Sequence, residues 1–380
     1  MAEYRQLHHA DELNEAAKLA DRVFRDHEQV SMGQAFPLVF SPGLGQSFGA
    51  FEDGKLVAFI GLVPWLVNAG GARLKVYALG AVCTDPDYRG KGYAGTILDM
   101  VKEHIRKAGA SLLLVSGDRG LYTRNHCYHY GSFNRYTFLP ENGEAIAAQN
   151  TAYSVREFAS SDWYTLHELA ESRPVRYEQG LSELAQLIHS QAVASIYKQE
   201  HRTLIAEKDG KPVAFAVLSI PVRYQTSAAS QAAEWAGDAS AVAAIFADAM
   251  KRYSLEKLDI AVPWQEAELR QALLDTPFQA GRNNGTVFIS DPQLLLEQLT
   301  PYWNGAIDTQ RGELRVTAGE DGQFTLHLGP DAIALTPQEL VSVVFDAEPK
   351  LAEQPSVEIQ ERLAALFPIP FPYANGLNFV

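Results

Sequence analysis

Apolar and polar positions alternate along the chain in an order that occurs twice. Tyr4-Arg5-Gln6-Leu7 reads as a strand, followed by Asp11 as the cap of a helix that carries Leu13, Ala16, Ala17 and Ala20. Tyr153-Ser154-Val155-Arg156 leads in the same way to Asp162 and a helical pattern with Leu166 and Leu169. Each opening precedes a similar hairpin. Residues 50–59 read Ala-Phe-Glu-Asp-Gly-Lys-Leu-Val-Ala-Phe, and residues 206–215 read Ala-Glu-Lys-Asp-Gly-Lys-Pro-Val-Ala-Phe. Asp53-Gly54 and Asp209-Gly210 are two-residue turns between apolar runs, a strong hairpin signal. The repeat is far longer than a solenoid period. Strand, helix and hairpin recurring together predict two copies of one domain; coincidence of a common Asp-Gly-Lys turn is the alternative.

Pro140-Glu141-Asn142-Gly143-Glu144 reads as the first boundary, and Ser290-Asp291-Pro292, after a strand Thr286–Ile289, as the second. The expected units are residues 1–145, 146–291 and 292–380. In the last, Glu313–Val316 and Phe324–Leu328 alternate like half-buried strands around a turn at Gly319-Glu320-Asp321-Gly322. Thr336-Pro337-Gln338-Glu339 then supplies a cap, a first-turn proline and a capping-box glutamate, with Leu340, Val343 and Val344 as the apolar face. The third unit is therefore small and α+β.

The segment with chemistry runs from Leu79 to Ala108. Val82-Cys83-Thr84 ends an apolar strand and Asp85-Pro86-Asp87 breaks it. Tyr88-Arg89-Gly90-Lys91-Gly92-Tyr93-Ala94-Gly95 then opens a helix whose face is Ala94, Ile97, Leu98, Val101, Ile105 and Ala108, closed by Gly109. Such a loop gathers unpaired amides at a helix N-terminus, where the dipole favours a phosphate or pyrophosphate. Gly90 and Gly92 permit close approach, and Arg89 and Lys91 add charge. The spacing is neither a Walker loop nor a Rossmann fingerprint, and a plain strand-to-helix turn is the simpler alternative.

Charge and composition narrow the choices. The 380 residues include 32 Lys and Arg against 46 Asp and Glu, a net charge of −14. That balance argues against a nucleic-acid footprint and suits a cationic small molecule. Two cysteines, Cys83 and Cys127, build no disulfide framework and imply a reducing compartment. No signal peptide is evident at Met1–Arg5, and the longest apolar run, Val57–Val67, is too short for a membrane helix. The expectation is a cytoplasmic protein without nucleic-acid or membrane partners. His126, Cys127 and His129 lie close together, but Tyr128 and Tyr130 interleave them like a strand, so no metal site is expected. Neither cysteine has an evident base and orienting partner for nucleophilic chemistry.

Arg89-Gly90-Lys91-Gly92-Tyr93-Ala94 resembles the Arg/Gln-x-x-Gly-x-Gly/Ala signature of the GCN5-related N-acetyltransferases (GNAT). Gly120-Leu121-Tyr122-Thr123-Arg124-Asn125-His126-Cys127 is similar to their Leu-Tyr-x-x-x-Gly-Phe element, with His126 and Cys127 in place of Gly and Phe. The three-part layout resembles the enhanced-intracellular-survival (Eis-type) acetyltransferases. That likeness implies tandem GNAT folds, each a mixed twisted sheet flanked by helices (α+β or α/β), the second degenerate. It also implies a sterol-carrier-like third domain and self-association, which the apolar tail would serve.

The resemblance further implies acetyl-CoA as cosubstrate and a small-molecule, lysine or peptide amine as acceptor. It places the coenzyme diphosphate on Arg89, Gly90, Lys91, Gly92, Tyr93, Ala94 and Gly95, and the pantetheine arm beside Val82, Cys83 and Thr84. It makes Tyr122 the general acid, since a phenol near ~10 can share a proton with a thiol near ~8.5. It also brings the terminal carboxylate of Val380 into the first domain as proton acceptor, with Asp85, Asp87 and Glu52 as alternatives. The tail Phe367–Val380 is apolar and holds three prolines, so it reads as buried, against its own domain or in that site. A non-catalytic coenzyme-A sensor or scaffold is the competing function, and a lipid carrier the competing reading of the third domain.

Overall fold

The computed structural model describes residues 2–223, 226–273, 275–303, 314–319 and 322–380. Glu313 and the turn residues Glu320 and Asp321 lie outside them. The first sheet holds β1 (Glu3–Gln6), β2 (Phe48–Glu52), β3 (Lys55–Ala69), β4 (Ala72–Thr84) and β5 (Leu112–Val115), paired in that order. The chain then supplies β6 (Phe133–Phe138), β7 (Ser154–Glu157), β8 (Val175–Tyr177), β9 (Glu200–Lys208), β10 (Lys211–Ile220), β11 (Ser230–Gly237), β12 (Leu258–Pro263), β13 (Phe278–Gly281) and β14 (Thr286–Ile289). The second sheet runs β7-β9-β10-β11-β12-β6-β13. In both sheets β-hairpins precede one parallel pair joined by a helix: β4 with β5 through Tyr93–Lys107, and β11 with β12 through Ala239–Arg252.

The two sheets exchange their sixth strand. β14 pairs antiparallel with β5, Val287 opposite Leu114, although the two strands lie on the order of 10² residues apart along the chain. β6 reciprocally pairs with β12, Ile260 opposite Tyr136. β8 also leaves the second half of the chain to extend β3 at Val67–Ala69. The exchange ties the halves together through backbone hydrogen bonds, and the first-sheet core is continuous with Phe215, Val217 and Leu340.

Local chemistry accounts for the elements. The Asp53-Gly54 and Asp209-Gly210 turns both have positive φ at each residue, as a tight hairpin demands. β3 crosses Pro64, which sits beyond the β2 pairing and short of the β8 pairing, so only β4 flanks it. Tyr93–Lys107 buries Ile97, Leu98, Val101 and Ile105 against Ile60, Leu62, Leu79 and Leu113 of the first sheet. At about 25 cal/mol per Å2 of apolar surface, such a face holds the helix in place without help from its ends.

Two expectations about element ends are corrected. The first helix begins at Ala10, so Asp11 lies inside its first turn, and Glu12 reaches back to the His9 amide at 3.4 Å. Asp162 likewise reaches back, accepting from the Ala159 amide at 2.7 Å, rather than capping forward. The stretch expected as the first boundary opens a helix, Pro140–Gln149: proline suits a first-turn position, and Asn142 accepts from the Leu139 amide at 3.0 Å.

The third sheet is β15 (Leu314–Ala318), β16 (Phe324–Leu328) and β17 (Asp331–Leu335), all antiparallel. Thr336 and Glu339 form the expected reciprocal cap, at 3.2 and 2.9 Å, and Leu340, Val343 and Val344 are buried. Among the described residues no helix is long and apolar enough to cross a membrane.

Candidate active site

The first parallel pair opens where β4 bulges. β4 and β5 stay paired from Val76–Leu79 against Leu112–Val115. Ala81 then takes φ 50°, and the β3–β4 register shifts between Phe59 and Gly61. An alanine in left-handed backbone is costly and marks a bulge that turns Val82-Cys83-Thr84 away from β5. Asp85 ends the strand. It accepts from the Asp87 amide at 3.2 Å and pairs with Lys55 at 2.9 Å. The Lys55 ammonium holds its carboxyl below the usual range, so Asp85 is a turn residue and a weak base.

Gly90 and Gly92 have φ of 80° and 82°, backbone that side chains rarely adopt. A Cβ added at Gly90, Gly92 or Gly95 would meet nothing within 4 Å, so the loop faces open space. The helix contributes Gly92 as its cap, without a side chain to occupy the end and without an acidic residue in the first turn. Among the described residues, the amides of Gly90 to Ala94 meet no acceptor. These residues fit a diphosphate: several donors, a positive dipole end and no steric obstruction. Lys91 lies 3.1 Å from Glu52, which also accepts from the Tyr93 hydroxyl at 2.8 Å. Tyr93 and Lys91 together hold Glu52 below the usual carboxylate range. Arg89 is exposed, its Nε 3.5 Å from the Thr84 carbonyl.

A cavity of about 270 Å3 lies beyond the bulge, lined on this side by Ala81, Val82, Ser116, Gly117, Tyr122 and Val380. Tyr122 belongs to the short helix Gly120–Thr123 and is 7% exposed. A Cβ at Gly117 would lie 3.2 Å from its ring, so glycine there lets the loop close over the phenol. Thr286 of β14 donates to the Gly117 carbonyl at 2.9 Å, so the exchanged strand backs the loop. Burial pushes the phenol up to about 12, with Arg119 partly opposing the shift. Tyr122 is therefore protonated at neutral pH.

The chain's last residue reaches the same cavity. Val380 is 7% exposed, and a Cβ on Gly80 would lie 2.9 Å from its carboxyl carbon. Only glycine in β4 admits so close an approach. The tail is held along its length: Gln265 donates to the Phe371 carbonyl and Asn283 to that of Pro372, both at 3.0 Å. Asn283 also accepts from the Ala374 amide at 2.9 Å, and Gln179 donates to Asn378. Sequence reasoning missed these anchors, because lone Asn and Gln residues carry no spacing signal.

The other clusters have structural surroundings. Burial pushes both the Cys83 and Cys127 thiols up to about 12, leaving neither a ready nucleophile. His126 shares a 3.2 Å contact with Tyr128 and has φ 63°, so the segment is an irregular turn with a single bridge from Tyr128 to Val287 rather than a strand. Among the described residues no group of three or more His, Cys, Asp or Glu is placed to hold a metal ion.

Comparison with known proteins bears on this geometry. Residues 3–129 match the family model of the acetyltransferase (GNAT) domain. No curated protein matches the sequence. Eis1 from Mycobacterium abscessus superposes over 99% of both chains, with a TM-score of 0.63 and 12% identity. A GCN5-related N-acetyltransferase from Kribbella flavida covers 90% of this chain and 89% of its own, with a TM-score of 0.60 and 14% identity. A probable N-acyltransferase from Enterococcus faecalis covers 88% and 85%, with a TM-score of 0.62 and 13% identity. The chain thus shares its overall fold with these proteins over 88% or more of its length, and its residues 3–129 match the GNAT acetyltransferase domain.

Proposed function

We propose that the protein is an acetyl-CoA-dependent N-acetyltransferase acting on a small amine. The observation that carries this reading is the meeting of a protonated Tyr122 and the Val380 carboxylate in one cavity, beside a strand that parts from its neighbour. The family match of residues 3–129 and the open glycine loop support it.

When bound, acetyl-CoA supplies a thioester-activated acetyl group. The amides of residues 90–94 would hold its diphosphate, and Val82-Cys83-Thr84 would offer strand-like backbone bonds to the pantetheine. The Val380 carboxylate takes the proton from the incoming ammonium, freeing the lone pair that forms the N–C bond. Tyr122 gives its proton to sulfur as the C–S bond breaks, and the second proton shed by the acylated nitrogen restores the phenol. A phenol held near 12 is a weak acid toward a free thiol. Burial raises a thiol as it raises a phenol, so a thiolate leaving into an enclosed crevice would also hold a proton more tightly than in water.

Thiol release with a panel of amines tests the reading. Turnover is expected, and Tyr122→Phe should lower kcat by about 10²-fold. Tight acetyl-CoA binding without transfer to any amine would instead favour a sensor or scaffold.

A further inference from the structure

The outer half of the cavity is built from Phe24, Met32, Phe36, Ile196 and Phe379, with Arg25 among them. Among the described residues no aspartate or glutamate lines it, and Val380 contributes the carboxylate there. The net charge of −14 is thus carried elsewhere, and the acceptor meets an apolar wall with a cation in it.

Among the described residues Arg25 forms no ion pair, although Asp21 and Asp26 lie close enough to favour its charge. Its Nη1 and Nη2 donate to the carbonyl and hydroxyl of Ser195, at 3.3 and 3.0 Å, and its guanidinium lies 5.6 Å from the centre of the Phe36 ring. Its Nε is buried with no hydrogen-bond acceptor among the described residues. The nearby acids are already engaged: Asp21 accepts from the Met32 amide and Asp26 pairs with Lys198 at 2.8 Å. A second arginine, Arg119, stands at the rim beside Tyr122. Its direct acceptors are neutral, so an anionic group entering the cavity would add a charge-assisted contact to the guanidinium.

We infer that the acceptor is a carboxylate-bearing amine with an apolar body, the chemistry of an apolar or aromatic amino acid. Its side chain would pack on Phe24, Phe36 and Ile196, its carboxylate would meet Arg25, and its amine would face Val380. A polycation would bring ammonium groups to a wall that offers two arginines and no side-chain carboxylate. The volume also suits a small acceptor, being at the low end for ligand sites. This inference rests on the acetyltransferase reading and narrows it.

The test is acetyl-CoA-dependent thiol release by the full chain, with phenylalanine and leucine set against phenethylamine and isopentylamine, which lack the carboxylate, and against spermidine. The amino acids are expected to lead their decarboxylated counterparts and spermidine in kcat/KM by at least about tenfold, the worth of one charge-assisted contact. Arg25→Gln should erase most of that lead through KM rather than kcat, and Arg25→Lys should restore part of it. Spermidine leading the panel, or a preference untouched by Arg25→Gln, would overturn the inference while leaving the transferase intact. Acetyl-CoA binding without thiol release from any amine would overturn the transferase reading and this inference with it. The comparison on the unsubstituted enzyme decides the matter even if a variant fails to fold.

Discussion

The two parallel strand pairs start alike and end differently. In the first, the helix after β4 is capped by Gly92 and leaves its N-terminal amides open. In the second, the helix after β11 is capped by Asp238, whose carboxylate accepts from the Ala241 amide at 2.8 Å and from the Tyr153 hydroxyl at 3.0 Å. The same positive dipole end is free in one copy and satisfied internally in the other. The gaps differ too. β11 and β12 pair only at Ser230–Gln231 against Leu258–Asp259 before parting, and the tail runs across that gap, Gly376 packed against the Ala233 carbonyl. One copy leaves its crevice open, whereas the chain's last residues cross the other on the way to Val380. A duplicated fold can thus divide its labour through a few side chains.

The largest effect should come from the tail. Adding residues after Val380 removes the carboxylate from a space closed by Gly80 and should cut kcat by about 10³-fold, with acetyl-CoA affinity nearly unchanged. Full turnover in such an extended chain would separate the guiding role of the second crevice from catalysis. A smaller, paired test compares the helix ends. Gly92→Ala forces a side chain into φ 82° and should weaken acetyl-CoA binding by about tenfold, as judged by titration. Asp238→Ala should leave that affinity alone and cost about 1 kcal/mol in unfolding free energy. Loss of coenzyme affinity in the second variant would break the contrast.

The smallest effect concerns a feature the copies share. Arg5 pairs with Glu12 in the first copy, and Arg156 with Asp162 at 2.7 Å in the second. Arg156 holds the Asp162 carboxyl below its ordinary value. Its folded value is depressed, so the stabilisation is present above the unfolded value near ~3.9 and fades as pH falls through the folded one. Asp162→Asn should cost about 1 kcal/mol at pH 7, partial exposure of Arg156 screening the pair. The difference from the unsubstituted chain should vanish in acid denaturation below about pH 3.

Local signals in the sequence were enough for the local features. Asp-Gly turns, the glycine loop and the Thr336–Glu339 cap each depend on residues a few positions apart, and each was read from them. The strand exchange was not readable, because β5 meets β14 and β12 meets β6 across more than a hundred intervening residues, with no trace in either strand's own pattern. The helix at Pro140–Gln149 was not readable for a related reason: proline and glycine mark loops and first helical turns alike. The tail's proline and aromatic content announced burial, but its route depends on Gln265, Asn283 and Gly376, which nothing in sequence distinguishes. Arg25 was hidden most deeply, since only folding reveals that its direct partner is Ser195, 170 positions away.

The most direct test of the division between the copies is calorimetric titration of the full chain with acetyl-CoA. One site per chain is predicted, lost or strongly weakened by Gly92→Ala and indifferent to Asp238→Ala. Two equivalent sites, or a single site that ignores Gly92, would contradict it.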